Sequence, residues 1–506
     1  MASLSEITAR KTDVMKSVRP VLHFIDGRFV PSQSGQTFET VNPVDNMPIT
    51  SVAAGDAGDV NVAVAAARKA FEETSWAHLG AGERARILRR IADGIEARGD
   101  LIVDLEVLDT GMPITQARGQ AARGADNFRF FASVIESMHT DAFPVDGSFL
   151  NYSTRKPVGV AGLITPWNTP FMLETWKIAP CLAAGDTCVL KPAEWSPLSA
   201  AQLAEVITEA GVPNGVFNIV NGIGEVAGAP LVAHPGVSLI SFTGETSTGK
   251  TILREGAETL KRFSMELGGK SPIIVFADCD MERAIDAVVF GIYSLNGERC
   301  TASSRLLVEE SIHKEFVDEV ARRTERVKVG DPFDPATELG PLISDEHFNR
   351  VTSYIEAGRR EGATVRAGGG RPTEYPDGNF LEATLLTHVT PQMRVFQEEI
   401  FGPVLVATPF RTDREAIALG NQVKYGLAAY IWTSDLQRAH VVADSIDAGL
   451  TWVNSQNVRD LRTPFGGMKS SGIGREGGEF SFEFYCELKT IHVAVGKHRI
   501  PRLGAG

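Results

Sequence analysis

The stretch that decides the fold is VGVAGLITPWNTP, residues 158–170. It begins with an apolar run of the length of a buried strand and passes through a turn rich in Pro and Asn into an apolar helical stretch at 172–182. The same succession of apolar run, turn and helical stretch recurs at 187–210 and at 239–256, with a further apolar run at 216–220. Strands that alternate with helices in this way predict an α/β fold with a doubly wound parallel sheet.

A second α/β unit is predicted downstream of the first. Its expected elements are a strand at 273–276, a helix at 281–293, a strand at 305–308, a charged helix at 311–326 and further strands near Val404 and Tyr430. No tandem repeat or low-complexity linker separates the two units, so the boundary between them is placed by composition alone, near 263–269.

The N-terminal part of the chain is expected to contain paired strands and an amphipathic helix. Alternating apolar and polar residues run from about Phe24 to Val41 and end in turn residues, which is typical of a strand hairpin. At 83–98, Ile87, Ile91 and Ile95 recur every four positions, as they do on the buried face of a helix. The arginines between them are interpreted as the solvated face of that helix.

Composition excludes several classes of protein. The 506 residues carry a formal net charge of −13, so there is no broad basic field to hold a nucleic acid. The uncharged stretch 157–173 is shorter than the roughly 20 residues of a membrane-spanning helix and contains prolines, and no secretory signal precedes it. The cysteines are sparse and odd in number, which predicts a reducing, cytoplasmic location. No metal site is expected.

The glycine-rich stretch GETSTGKT, residues 244–251, permits two interpretations. It follows an apolar run and has the spacing of a P-loop that binds ATP phosphates, and Asp278 after a later apolar run fits a magnesium-binding carboxylate. A glycine-rich turn that leads into a helix also suits the phosphates of a dinucleotide. The stretch alone does not distinguish a nucleotide hydrolase from a dinucleotide-dependent enzyme.

Two further residues are candidates for catalysis. Cys300 lies in NGERCT, residues 296–301, after an apolar helical stretch, where its thiol is either a packed small hydrophobe or an exposed nucleophile. Glu266 lies in MELGGK, residues 265–270, and is either a turn residue or a general base in a cleft. Arg299 either raises the positive potential around the thiol or points away and pairs with a surface acid.

Together with further motifs, these segments resemble the NAD(P)-dependent aldehyde dehydrogenase superfamily, in order along nearly the whole chain. The further motifs are PWNTP at 166–170, LKPAE at 190–194, EEIFGP at 398–403 and PFGG at 464–467. The resemblance implies a Rossmann-type NAD-binding domain, an α/β catalytic domain and a small β oligomerisation domain. The expected limits are 1–138 and 157–265, 266–479, and 139–156 and 480–506, respectively.

The family's catalytic roles transfer to three residues of this chain. By resemblance, Cys300 is the nucleophile that forms a thiohemiacetal and then a thioester, and Glu266 assists its deprotonation and later activates water. The side-chain amide of Asn168 and the backbone N–H of Cys300 would stabilise the oxyanion. A glutamate at position 266 favours release of a free carboxylic acid over transfer to coenzyme A.

The cofactor expected from the resemblance is NAD. Its expected contacts are Trp167, Lys191, Glu194, Gly244, Ser247, Glu399 and Phe401. The carboxylate of Glu194 would accept a hydrogen bond from a ribose hydroxyl and repel a 2′-phosphate, so NAD is favoured over NADP, although Lys191 leaves room for weaker NADP use. The glycine-rich stretch then occupies the family's cofactor position, which displaces the P-loop interpretation.

Arginines suggest an acidic substrate. Arg459 and Arg462 directly precede the PFGG motif, and Arg123 lies in a helical stretch. A guanidinium matches a carboxylate, so converging arginines would select an aldehyde that carries an acid group, whereas the alternative is ordinary ion pairing with Asp126 or Asp460.

Three segments are similar to the branch of the family that oxidises semialdehydes from meta-cleavage of aromatic rings: residues 296–302, NVRDLR at 457–462 and GIGREGG at 472–478. The expected substrate is 5-carboxymethyl-2-hydroxymuconate semialdehyde, with 2-hydroxymuconic semialdehyde or a broader range of aldehydes as alternatives. Family members are homodimers or homotetramers in which a hairpin, expected here at 139–156, pairs with a neighbouring subunit.

Overall fold

The computed structural model describes residues 4–145 and 147–504. No helix within these ranges is long and apolar enough to cross a membrane. The α-helices are α1 (Leu4–Ser17), α2 (Ala57–Glu73), α3 (Ala81–Ala97), α4 (Gly99–Thr110), α5 (Ile114–Ser137), α6 (Pro170–Ala184), α7 (Leu198–Glu209), α8 (Ala229–Ala233), α9 (Thr246–Gly256), α10 (Met281–Tyr293), α11 (Glu310–Thr324), α12 (Asp345–Glu361), α13 (Arg394–Gln397), α14 (Asp413–Asn421), α15 (Leu436–Ser445) and α16 (Phe482–Tyr485).

The strands occupy most of the positions between these helices. They are β1 (His23–Ile25), β2 (Arg28–Val30), β3 (Thr37–Val41), β4 (Pro48–Ala53), β5 (Ala142–Val145), β6 (Phe149–Pro157), β7 (Val160–Ile164), β8 (Thr187–Lys191), β9 (Phe217–Ile219), β10 (Leu239–Thr243), β11 (Arg262–Glu266), β12 (Pro272–Val275), β13 (Arg305–Glu309), β14 (Thr364–Ala367), β15 (Thr384–Thr387), β16 (Val404–Phe410), β17 (Tyr425–Gly426), β18 (Ala428–Trp432), β19 (Leu450–Val453), β20 (Met468–Lys469), β21 (Gly472–Ile473) and β22 (Cys486–Ala494).

The first sheet has eight strands in the order β2-β1-β9-β8-β7-β10-β11-β21. The strands from β9 to β11 pair in parallel, with Ile164 opposite Lys191 and Thr243 opposite Glu266. Numbered along the chain from β7, these strands lie in the order 3-2-1-4-5, which is that of a dinucleotide-binding doubly wound sheet. The predicted parallel sheet is therefore present, with its strands within a few residues of the expected positions.

The second sheet has seven strands in the order β14-β15-β16-β13-β12-β18-β19. Strands β12 and β13 pair in parallel, and so do β12 and β18. The helix predicted at 281–293 coincides with α10, and the helix predicted at 311–326 corresponds to α11. Side chains of β12 are buried on both faces, as expected for a parallel strand covered by helices.

The N-terminal hairpin forms differently from the prediction. A single hairpin was expected between Phe24 and Val41, but β1 and β2 form one hairpin and β3 and β4 form another in a separate sheet. Asp26 and Gly27 both have positive φ, 52° and 76°, in the two-residue turn between β1 and β2. This turn closes the first hairpin within a few residues and leaves the following segment free to pair elsewhere.

A third sheet has three antiparallel strands in the order β22-β6-β5. It joins the hairpin before the first α/β unit to the C-terminal part of the chain, with Cys486 opposite Pro157 and Ala494 opposite Phe149. Large apolar side chains on this sheet are exposed, including Phe143, Leu150 and Leu488.

Arg305 in β13 stabilises the second sheet through buried hydrogen bonds. Its guanidinium is fully buried and donates to the carbonyl oxygens of Lys270 at 2.8 Å, Leu419 at 2.7 Å and Gly420 at 2.8 Å. It thereby satisfies backbone acceptors at the start of β12 and the end of α14 that no water can reach.

We expect Arg305→Met to lower the free energy of unfolding by about 3 to 5 kcal/mol, because each abandoned buried carbonyl costs about 1–3 kcal/mol. Chemical denaturation monitored by circular dichroism measures the change. Arg411→Met is the matched control: Arg411 is exposed and pairs with Glu310 at 2.9 Å, so its loss should cost less than about 1 kcal/mol. Equal effects of the two substitutions would contradict the role of Arg305.

Candidate active site

The site forms where strands of the first sheet end. Strands β7, β8, β10 and β11 run in parallel, so the residues that follow them meet at the same edge of the sheet. Trp167 and Asn168 follow β7, Gly244 follows β10, and Glu266 ends β11. The strand order reverses between β7 and β10, which opens a crevice between their carboxyl ends.

The segment before Cys300 approaches this crevice from the second unit in an unusual conformation. Leu295, Asn296 and Gly297 have φ of 54°, 57° and 71°. The Asn296 amide donates to the carbonyls of Gly111 at 3.2 Å and Pro341 at 3.0 Å. Left-handed backbone at Leu295 costs about 1–2 kcal/mol, and buried hydrogen bonds of this kind offset that cost. The segment therefore delivers Cys300 in one fixed position.

Cys300, Glu266 and Asn168 line one cavity of about 240 Å³. Cys300 and Asn168 also line a second cavity of about 250 Å³, on the cofactor side of the crevice. The Asn168 side chain donates from Nδ2 to the carbonyl oxygen of Glu298 at 2.8 Å, which orients its amide toward the nucleophile segment. The structure thus brings the predicted catalytic residues together, with the thiol at the junction of two cavities.

Burial controls the protonation of Cys300 and Glu266. Burial is the main cause that raises the pKa of Cys300 to about 12; the charges of Glu266 and Glu399 also raise it, whereas those of Arg299 and Arg459 lower it. Burial is also the main cause that raises the pKa of Glu266 well above its usual value. Neither carboxylate oxygen of Glu266 has a hydrogen-bond partner among the described residues. In its ionised form, this carboxylate can take a proton from a thiol that does not ionise by itself.

A buried polar network lies beside Glu266 and was not found from the sequence. Glu476 accepts hydrogen bonds from Lys177 Nζ at 2.9 Å and from Trp176 Nε1 at 2.6 Å, and its charge contributes to the raised pKa of Glu266. Lys177 and Glu476 are almost 300 residues apart, and each occurs in an ordinary local context. Only the contact between them shows that both belong to the site.

The second cavity is lined by four of the residues predicted to bind cofactor, namely Trp167, Gly244, Glu399 and Phe401. Glu399 accepts a hydrogen bond from the backbone N–H of Gly269 at 2.7 Å, and burial raises its pKa to about 7. A Cβ at Gly268 would lie 2.0 Å from Glu399 Oε2, and a Cβ at Gly269 would lie 2.5 Å from the backbone oxygen of Cys300, so both glycines after Glu266 leave room for close neighbours.

The remaining predicted cofactor residues do not line this cavity. Lys191 ends β8 and pairs with Glu194 at 2.8 Å, and Ser247 is in the first turn of α9. Trp195, His347 and Arg350 line the cavity and were missed. His347 lies in α12, far from every motif, so the sequence carried no signal for it.

Two of the three predicted substrate arginines face the first cavity. Arg123 and Arg459 line it. The Arg459 guanidinium lies 4.6 Å from the Trp176 ring and 3.8 Å from the Phe465 ring, and burial is the main cause that lowers its pKa to about 9. Stacking on aromatic rings stabilises a buried cation that has few polar partners.

Arg462 requires a correction. Its side chain is 81% exposed and pairs with Asp460 at 2.6 Å, and it does not line either cavity. The loop at 457–463 turns so that Arg459 points inward and Arg462 outward. The alternative interpretation, an ordinary ion pair, is the correct one for this arginine.

The P-loop interpretation is also wrong. Asp278 follows β12 of the second sheet, whereas GETSTGKT follows β10 of the first. The Asp278 carboxylate accepts hydrogen bonds from Thr433 Oγ1 and the Asp435 backbone N–H, both at 2.9 Å, and pairs with Arg438. It therefore stabilises the turn before α15. Within residues 4–145 and 147–504, no cluster of His, Cys, Asp and Glu could hold a metal ion.

Comparison with known proteins agrees with this geometry. The pattern of the aldehyde dehydrogenase family matches residues 29–491, and the chain belongs to this family. The predicted fold class and family resemblance are thereby confirmed, and the chain is an oxidoreductase of the aldehyde dehydrogenase type.

Several relatives are similar over nearly their whole length. The 5-carboxymethyl-2-hydroxymuconate semialdehyde dehydrogenase of Escherichia coli is 48% identical over 92% of this chain and 99% of its own. The 2-hydroxymuconic semialdehyde dehydrogenase of Pseudomonas sp. (strain CF600) is 47% identical over 94% of this chain and 100% of its own. The crystal structure of HpcC from Thermus thermophilus superposes with a TM-score of 0.96 at 51% identity, covering 98% of both chains.

The raised pKa of Glu266 gives a prediction for the pH dependence of the reaction. The carboxyl group accepts a proton only when it is ionised, so kcat should rise with pH through its raised pKa and then level off. Glu266→Gln should remove this limb and lower kcat about 10²- to 10⁴-fold. A pH–rate profile of both enzymes measures the effect. If the limb persisted unchanged in the variant, another group would be the base.

Proposed function

We propose that the protein oxidises a carboxylate-bearing semialdehyde to the carboxylic acid with NAD, in the meta-cleavage catabolism of aromatic compounds. The observation that supports this most directly is the position of Cys300. Its thiol lies between a cavity lined by Arg123 and Arg459 and a cavity lined by Trp167, Glu399 and Phe401. An acidic aldehyde in the first cavity and a dinucleotide in the second would meet at this sulfur.

In the proposed reaction, Glu266 takes the proton of Cys300, and Sγ bonds to the aldehyde carbon to give a thiohemiacetal. The carbonyl oxygen becomes an oxyanion that accepts hydrogen bonds from Asn168 Nδ2 and the Cys300 backbone N–H; loss of one such donor costs about 3 kcal/mol. NAD, when bound, supplies the hydride acceptor. Loss of the hydride leaves a thioester, and Glu266 passes the proton it took from Cys300 to solvent. Glu266 then takes a proton from water, whose oxygen bonds to the thioester carbon; the C–S bond breaks, the acid leaves, and the proton returns to Sγ.

The residues of the second cavity fit a dinucleotide. Thr243 Oγ1 is buried beside it without a hydrogen-bond partner in the described chain, and the Glu399 carboxylate is held at its wall. The partly exposed Glu194 carboxylate would repel a 2′-phosphate, which supports NAD over NADP. Solved relatives include an aldehyde dehydrogenase from Bacillus cereus in complex with NAD⁺, at 40% identity and a TM-score of 0.93.

The proposed substrate is 5-carboxymethyl-2-hydroxymuconate semialdehyde, with 2-hydroxymuconic semialdehyde as the alternative. Arg123 and Arg459 support a substrate with a carboxylate, because both cations line a small cavity. Relatives that share nearly half of the sequence act, by name, on these two compounds.

We also propose the assembly and the domain limits. The exposed apolar side chains of Phe143, Leu150 and Leu488 support a homodimer or homotetramer in which the three-stranded sheet contacts another subunit. The limits 1–138 and 157–265, 266–479, and 139–156 and 480–506 remain those expected from the sequence. The free cysteines support a cytoplasmic location.

Cys300→Ala should abolish NADH formation and leave NAD binding intact, because it removes the nucleophile and leaves the second cavity in place. Absorbance at the NADH maximum and calorimetric titration with NAD measure the two properties. Loss of NAD binding together with activity would point to a structural role for Cys300. If the wild-type enzyme formed no NADH with any ring-cleavage semialdehyde, the proposed function would be refuted.

Arg123→Ala should raise KM for acidic semialdehydes, so that kcat/KM falls about 10- to 100-fold, and spare neutral aldehydes, since a charge-assisted hydrogen bond contributes about 1.5–3 kcal/mol. Initial rates with both kinds of aldehyde measure the difference. Arg462→Ala is the matched control and should change neither value, because Arg462 is exposed. An equal loss with both kinds of aldehyde in Arg123→Ala would indicate a structural role instead.

A further inference from the structure

Arg299 is the third arginine of the first cavity and has no assigned role. It directly precedes Cys300 and lines the same cavity as Arg123 and Arg459. Its guanidinium lies 5.4 Å from the centre of the Phe290 ring, and its Nη1 is buried without a hydrogen-bond partner in the described part of the chain. No ion pair links it to an acid within residues 4–145 and 147–504, so it does not pair with a surface carboxylate.

A buried cationic donor without a partner is costly, and an anion that enters the cavity would remove that cost. The acids nearest the cavity do not supply this anion. Glu476 is already paired with Lys177 at 2.9 Å, and burial favours the neutral form of Glu266. The cavity therefore has more positive than negative charge, enough for a ligand with more than one carboxylate.

The chemistry of the proposed substrates indicates which carboxylate Arg299 would meet. In 5-carboxymethyl-2-hydroxymuconate semialdehyde, the carboxymethyl group is attached to the carbon that bears the aldehyde, whereas the other carboxylate ends the carbon chain. In 2-hydroxymuconic semialdehyde the carboxymethyl group is absent. In the proposed reaction the aldehyde carbon bonds to Cys300 Sγ, so a group on the adjacent carbon lies in the part of the cavity around Cys300, and Arg299 lines this cavity as well.

We propose that Arg299 binds the carboxymethyl carboxylate and makes the enzyme selective for the substrate that carries this group. The inference rests on the proposed function and deepens it. Arg123 and Arg459 then bind the carboxylate that ends the carbon chain of the substrate. The two ends of the substrate are then recognised by different arginines, and only the one next to the nucleophile distinguishes the two semialdehydes.

The test compares kcat/KM for the two semialdehydes in wild-type enzyme and in Arg299→Gln. We expect kcat/KM for the carboxymethyl substrate to fall about 10- to 100-fold, mostly through KM, because one charge-assisted hydrogen bond is lost. The KM for 2-hydroxymuconic semialdehyde should stay within about 3-fold, since that compound has no carboxylate at this position, and any change in kcat caused by the lost charge beside Cys300 should be equal for the two substrates. Arg299→Lys should recover part of the loss by restoring the charge.

Arg462→Gln is the matched control. It removes an exposed arginine from the loop that also carries Arg459, and it should change kcat/KM for neither semialdehyde. Thermal unfolding of each variant separates loss of folding from loss of recognition. A second measurement does not need turnover. In a Cys300→Ala background, calorimetric titration with the two acid products should show that Arg299→Gln weakens the binding of only the product with the carboxymethyl group.

The outcomes separate this inference from the proposed function. An equal loss of kcat/KM with both semialdehydes would mean that Arg299 only supports the nucleophile segment, and no loss with either would mean that the carboxymethyl group binds elsewhere; both results overturn the assignment. Wild-type enzyme that oxidised neither semialdehyde would overturn the proposed function, and the assignment with it.

Discussion

The hydrogen bond from Asn168 Nδ2 to the carbonyl oxygen of Glu298, at 2.8 Å, ties the first sheet to the segment that precedes Cys300. Asn168 follows β7 of the first sheet, and Glu298 belongs to the segment that carries the nucleophile, between α10 and β13 of the second unit. The proposed reaction needs the Cys300 thiol of one unit and the Asn168 amide and Glu266 carboxyl group of the other at a fixed separation. The bond thus couples the packing of the two units to the geometry of the reaction.

Burial keeps some ionisable groups of this site uncharged, and ion pairing compensates the charges of others. Lys177 and Glu476 neutralise each other, whereas Cys300 and Glu266 lack such partners and have raised pKa values. The carboxyl group of Glu266 takes the thiol proton only in its ionised form, so the raised pKa of Glu266 makes this proton transfer depend on pH. Arg459 keeps its charge by stacking on aromatic rings, which leaves its hydrogen-bonding groups free for a ligand.

Local sequence was a good guide where structure repeats. The helix at 281–293 and the apolar runs of the first sheet were predicted within a few residues, because a buried parallel strand must be apolar and a helix must alternate its faces. The prediction of a single hairpin near Phe24 is wrong, because the local pattern does not show that β3 pairs with β4 in a separate sheet. His347 and Glu476 were missed, because their roles arise from contacts distant in sequence.

The sequence by itself determined the class of chemistry. Alternating strands and helices require parallel sheets whose carboxyl ends converge, and the motifs around Cys300 and Glu266 predict the reacting residues. Only the tertiary structure decided which arginines face the first cavity. Arg459 and Arg462 lie three positions apart on an irregular loop, where no helical or strand period dictates direction, and the path of that backbone sends one into the cavity and the other to solvent.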